Sequence, residues 1–188
     1  MKTCKGVLKL VTVAAAMAAT ALTATGQEKY GKTLNLGIGV GYFNYIGRPV
    51  PFFSANYEFD VARQFTLAPF VGFASYRSNN YWKNNGQNNR YYYHESVVPL
   101  GVKGTYYFDR ILGANANWDF YLAASAGIAI HNVTWDDGYY GDKDVYRGRS
   151  PLYLDLHIGT EYHFAKRAGI FADLSTGVST VGLAIHGR

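Results

Sequence analysis

The chain has 188 residues, 48% of them hydrophobic, with 17 Tyr, 11 Phe and 21 Gly but only 16% charged. An ordinary globular chain is roughly 25% charged. So much apolar and aromatic material excludes a disordered chain; the scarcity of Glu, Lys and Leu excludes a coiled coil; a single Cys excludes a disulfide-built fold.

Residues 1–26 have the form of a secretory signal peptide. Lys2, Lys5 and Lys9 make a basic start, residues 10–24 are apolar or small, and Ala24-Thr25-Gly26 supplies the small residues that precede cleavage at Gln27. The run is too short and too rich in Ala and Thr for a spanning helix of ~20 apolar residues. It holds three of the 18 basic residues and no acid, so the formal charge of +5 falls to +2 in the mature domain, residues 27–188. A basic balance that leaves with the leader is no argument for a nucleic-acid partner. Cys4 and both Met leave with it, so redox chemistry is not expected.

In the mature domain the recurring period is two. Leu34, Leu36, Ile38, Val40 and Tyr42 alternate with Asn35, Gly37, Gly39 and Gly41, a strand with one greasy face and one nearly bare. Phe53, Ala55, Tyr57 and Phe59 form the next large face, opposite Ser54, Asn56 and Glu58. Phe65, Leu67, Val71 and Phe73 follow, then Val98, Leu100, Val102, Tyr106 and Phe108 opposite Gly101, Lys103 and Thr105. Even residues from Trp118 to Ile130, and from Leu152 to Ile158 with Tyr162 and Phe164, give two longer faces. Ile170, Ala172 and Leu174, then Val181, Leu183 and Ile185, complete eight strands.

Two of these faces span thirteen residues each. Soluble strands cluster near five or six residues, whereas membrane-crossing strands need ~9–11. Lys103, Asp155, Glu161 and Asp173 all lie opposite the apolar side. The pattern therefore predicts large apolar groups toward lipid and small or polar ones toward a lumen. Short connections near 60–63, 109–117 and 165–168 alternate with connections that include two long polar ones, 77–94 and 132–150. Tyr57, Phe59, Tyr106, Phe108, Trp118, Phe120, Tyr162 and Phe164 gather beside the short turns, as an interfacial girdle does.

With these strands, and with residues 169–177 followed by Val181-Gly182-Leu183 looking like a final hairpin, the chain resembles the small eight-stranded outer-membrane β-barrels, the OmpX-like and OmpA-transmembrane-like families. The resemblance implies an all-β, antiparallel, up-and-down transmembrane barrel in the outer membrane of a Gram-negative-type bacterium. It implies a monomer whose partner is outer-membrane lipid.

An eight-stranded barrel has room inside for side chains only. Lys103, Glu161 and Asp173 are expected at similar height in the lumen, where confined charges must pair. Asp155 and His157 face the same way. His157 and His163 lie six residues apart on one strand, about 20 Å at ~3.3 Å per residue, so they cannot share a metal. The sequence contains no Cys/His zinc spacing, and Gly37, Gly39 and Gly41 sit at strand spacing rather than in a phosphate-binding turn. No cofactor is expected. The acidic stretch 136–144 lacks EF-hand spacing.

The long connections carry Tyr81, Trp82, Tyr92, Trp135, Tyr139 and Tyr140 among Asn and Gly, the vocabulary of adaptable binding surfaces. A surface protein or glycan is the expected class of ligand. Residues 77–90 also carry Arg77, Lys83 and Arg90 without an acid. Two alternatives compete with a non-enzymatic surface scaffold. One is a lipid A-modifying acyl hydrolase or acyltransferase using His94 and Ser96, which share a strand face. The other is a soluble periplasmic β-barrel that binds a lipid-like ligand inside. The direction of the even-numbered face from Leu152 to Phe164 separates the soluble reading from the membrane one.

Overall fold

The computed structural model describes residues 30–42, 49–84, 87–114, 117–135, 137 and 150–187; along 78–84, 87–91 and 110–111 it describes the backbone alone. The expected leader, residues 1–26, lies outside the described residues, as do Tyr139 and Tyr140.

Eight antiparallel strands close into a barrel in which each pairs with its neighbours in sequence and β1 meets β8. They are β1 Thr33–Tyr42, β2 Pro49–Ala62, β3 Phe65–Asn84, β4 Gln87–Tyr107, β5 Trp118–Trp135, β6 Leu152–Ala165, β7 Ala168–Ser175 and β8 Val178–His186. Closure removes both sheet edges, so every strand's backbone has a partner on each side. A four-residue helical turn, Asp109–Leu112, links β4 to β5. Short links β2–β3, β4–β5 and β6–β7, with the start of β1 and the end of β8, define one end of the barrel.

Alternation holds along the strands because the side-chain period is two and the register is continuous, with shifts only at Asp60/Ala62 and His163/Ala165. Leu152, Leu154, Leu156, Ile158, Tyr162 and Phe164 all point outward and are exposed. Inward positions are filled by small or polar groups and, around Phe52, by apolar ones, and two glycines face each other in the wall. Gly101 pairs with Gly127 across β4–β5. A Cβ on either would lie 2.0–2.1 Å from a carbonyl oxygen of the opposite strand, so only glycine fits the approach.

Two expected loops are shorter than the sequence suggests. Pairing of β3 with β4 continues from Arg77↔His94 to Asn84↔Gln87, so residues 77–94 are mainly a hairpin. Likewise β5 runs to Trp135, through the first residues of the expected loop 132–150. Asn, Tyr and charged residues without alternation read as loop in a sequence, but the backbone hydrogen bonds of a ladder form without an apolar face.

Candidate functional site

The lumen is built in layers. Nearest the short-turn end, Tyr30 stacks on Tyr107 with ring centroids 4.0 Å apart and donates its hydroxyl hydrogen bond to Asp109 at 2.7 Å. Beside it, His163 Nε2 meets Asp119 Oδ2 at 2.8 Å, and His186 lies between Glu161 Oε1 at 2.8 Å and Thr33 Oγ1 at 2.9 Å. The next layer centres on Glu58, which accepts from Asn35 at 2.8 Å, Thr66 at 2.6 Å and the Tyr107 hydroxyl at 2.8 Å.

Lys103 and Asp173 meet at 2.5 Å in the next layer. Tyr121 donates to the same Asp173 oxygen at 3.1 Å, and His157 Nδ1 lies 2.8 Å from the other. The far nitrogen of His157 is 2.9 Å from Ser125 Oγ. Lys103 Nζ also sits 5.1 Å above the Tyr121 ring, a cation–π contact that helps hold a buried ammonium.

Asp155 is the capping group of the β7–β8 turn. It accepts from Ser175 Oγ at 2.9 Å, Thr176 Oγ1 at 2.7 Å, Gly177 N at 2.8 Å and Val178 N at 3.0 Å, and from the Tyr153 hydroxyl at 3.1 Å. Toward the hairpin end the filling becomes apolar. Val50, Phe52, Ala74, Val97 and Val178 pack together, with Tyr76, Ala129 and Tyr153 against them. Beyond this layer Glu95 is buried, accepting from the Tyr76 hydroxyl and facing His131 at 3.5 Å.

Outside, the chemistry is reversed. Every strand exposes large apolar side chains, among them Ile38, Phe53, Val71, Val102, Leu122, Leu154, Leu174 and Val181, with Leu154 and Leu174 each 65% exposed. Water-soluble monomers rarely show a contiguous apolar patch above a few hundred Å². A belt around the whole circumference, over a closed sheet with no unpaired edge, suits hydrocarbon. The protein is a small eight-stranded transmembrane β-barrel. The soluble lipid-binding alternative fails on this point, since the face from Leu152 to Phe164 points out rather than in. At the short-turn end the aromatic girdle is in place: Trp118 contacts Tyr162 at 4.8 Å and Phe120 at 6.1 Å between ring centroids, and Tyr57 contacts Phe59 at 4.8 Å.

No protein family and no curated protein matches the chain. Among solved structures it is similar to a chain from the de novo design of transmembrane β-barrels, with a TM-score of 0.49 and 13% identity over 85% of this chain and 98% of that one. It is also similar to Ail, the attachment invasion locus protein of Yersinia pestis, in complex with the heparin analogue sucrose octasulfate, with a TM-score of 0.43 and 9% identity over 81% and 94% of the two chains. A second Ail structure scores 0.35 at 10% identity, again over 81% and 94%. None of these scores reaches 0.5, and the assignment rests on the barrel's own topology and outer face.

Of the expected lumenal group, the barrel brings together Lys103, Asp173 and His157, while Asp155 stands 3.8 Å from His157 Nε2. Glu161 is the correction. It does not join Lys103 at one height but sits in the layer nearer the short turns, engaged by His186 and by His163 at 3.6 Å. The cause is register: Asp173 pairs with Gly159, two residues up β6 from Glu161, so the carboxylates fall in successive layers. Glu58 and Glu95 are further buried acids, beside Asp109 and Asp119, and the inward parity of Glu58 and Glu95 was the available signal. The apolar layer was not foreseen, because in Phe52-Phe53 only parity says which ring enters the lumen.

Trp135 and Tyr92 are not free loop residues. Trp135 lies against Tyr93 at 4.7 Å, and the Arg77 guanidinium covers the Tyr92 ring at 4.2 Å. Tyr81 and Trp82 belong to the β3–β4 hairpin, opposite Arg90 and Asn89.

Proposed function

We propose that this is a non-enzymatic outer-membrane protein of a Gram-negative-type bacterium, exported by the leader at 1–26, with a plugged lumen and a surface-binding hairpin. The observation that carries the reading is the β3–β4 ladder, paired as far as Asn84↔Gln87. Apolar outward residues on β3 end at Phe73, and Ser75 and Arg77 follow. Residues 77–84 therefore continue for roughly 25 Å along the strand at ~3.3 Å per residue. This length rises beyond the apolar belt carrying Arg77, Tyr81, Trp82, Lys83, Arg90 and Tyr92 and no acid. A surface protein or glycan with anionic groups is the class of ligand such a hairpin suits, with outer-membrane lipid as the barrel's own surroundings and a monomer as its working form.

The plug is supported by the filling of the lumen: ion-paired groups around Lys103 and Asp173, then the apolar layer around Phe52. The enzymatic reading has less support. His94 and Ser96 share the outer face, but the residues paired with His94 are Arg77 and Thr134, and those paired with Ser96 are Ser75 and Asn132. None is a carboxylate, and Glu95 between them turns into the lumen.

The test replaces residues 79–89 by a short glycine-containing turn. Adhesion of cells displaying the barrel to immobilised glycans and extracellular proteins should fall sharply, while lipid A acyl chains stay unchanged in both strains. Acyl-chain loss that depends on the protein and disappears in Ser96→Ala would instead establish the enzyme.

A further inference from the structure

At the short-turn end of the lumen, Glu161, His163 and His186 each present one ligand atom within 4.8 Å of one another. Glu161 and His163 are two residues apart on β6 and so share its inner face. His186 comes from β8, two strands away, about 9.5 Å at the ordinary strand spacing. The strand between them, β7, offers Gly169 at this level, paired with His163 on one side and Ala184 on the other. A Cβ at position 169 would lie 2.2 Å from Glu161 Oε1. Glycine there leaves the gap across which β6 and β8 side chains meet.

We propose that these three residues bind a single divalent transition-metal ion of the zinc class, tying β6 to β8 beside the seam where the barrel closes. His186 Nε2 and His163 Nδ1 lie 2.8 and 3.6 Å from the same Glu161 oxygen. Ligands on a tetrahedral zinc at ~2.0–2.1 Å are roughly 3.4 Å from one another, the same range. Each imidazole has its outer nitrogen engaged as metal-bound histidines do: His163 Nε2 by Asp119 at 2.8 Å, His186 Nδ1 by Thr33 Oγ1 at 2.9 Å. Such outer partners fix ring orientation and tautomer. One carboxylate and two imidazoles are a donor set that zinc-class ions take. The site opens to the short-turn end, since the His163 and His186 side chains are 24% and 17% exposed while Glu161 is 7% exposed.

The test uses the untagged barrel folded in detergent micelles, stripped with a chelator, and titrated with ZnCl2 by calorimetry and with CoCl2 by visible absorption. One ion per barrel is expected, with the d–d bands of low-coordinate Co2+. His186→Ala and Glu161→Gln should each weaken binding more than tenfold. Thr33→Val and Asp119→Asn should weaken it by roughly 10–100-fold through the outer partners. His94→Ala, on the outer face of β4, should leave it unchanged. Heat-modifiable gel mobility identifies folded variants, and Thr33→Val serves where a larger change prevents folding. Absence of one-to-one uptake by the folded wild type overturns the proposal. So does undiminished uptake by folded Glu161→Gln or Thr33→Val, because the ion would then be held by other residues.

Discussion

Lys103 and Asp173 show what a lumen demands of single residues. Both are buried, and each stands where the other's charge cancels it. Lys103→Met keeps most of the volume and leaves Asp173 to His157 and Tyr121. Breaking a buried pair in this way costs about 3–5 kcal/mol. The double variant Lys103→Met with Asp173→Asn should recover at least half of that loss, measured by urea titration of the barrel in vesicles. At Glu95 the same reasoning gives a smaller number. The carboxylate is buried and accepts from Tyr76. Tyr76→Phe should therefore destabilise by about 1.5–3 kcal/mol, the range for a hydrogen bond to a charged group.

Strands and turns carry their own consequences. Leu122 is the first outward residue of β5 beyond the girdle pair Trp118 and Phe120 and is half exposed, whereas its neighbour Ala123 is buried in the lumen. Arg on the lipid face costs up to about 2–4 kcal/mol at the midplane of a barrel wall and less toward its interfaces. Leu122→Arg should fold into vesicles with a correspondingly lower urea midpoint, and an unchanged midpoint would show that this face does not meet lipid. The β7–β8 turn depends on an acceptor from outside itself. Asp155 on β6 holds two backbone N–H groups and two hydroxyls of residues 175–178. Asp155→Ala removes all four together and should cost more than about 3 kcal/mol, read by urea titration and by hydrogen exchange at Gly177 and Val178. In contrast, trimming 79–89 should leave the unfolding free energy within about 1 kcal/mol, because these residues pair only within their own hairpin and the entropy of closing the replacement turn varies slowly with length.

At the scale of the molecule, closure is the central property. The β1–β8 ladder runs from Thr33↔His186 to Gly41↔Val178, so β8 completes the hydrogen bonding of β1 and β7 together. The intact barrel should migrate faster unboiled than boiled. Deletion of residues 178–188 should abolish that shift, since two edges would then lie in hydrocarbon without partners. Retention of the shift would show that the wall closes without β8.

What could be read from the chain follows from the solvent. Lipid outside forces an uninterrupted period of two, so Leu152, Leu154, Leu156 and Ile158 disclose a strand, its length and its outer face without any contact being known. Inward parity likewise marks Lys103, Asp155, His157 and Asp173 as lumenal. Parity is silent on height. Strand tilt and register decide which inward residues share a layer, and these moved Glu161 from Lys103 to His186, across a gap kept open by Gly169. The hairpin between β3 and β4 was hidden for a related reason: along 77–94 the alternation of the sequence vanishes while the backbone ladder continues. Sequence determined the wall because its environment is uniform, whereas the contents of the lumen depend on contacts between strands distant in sequence, which only closure of the barrel brings into range.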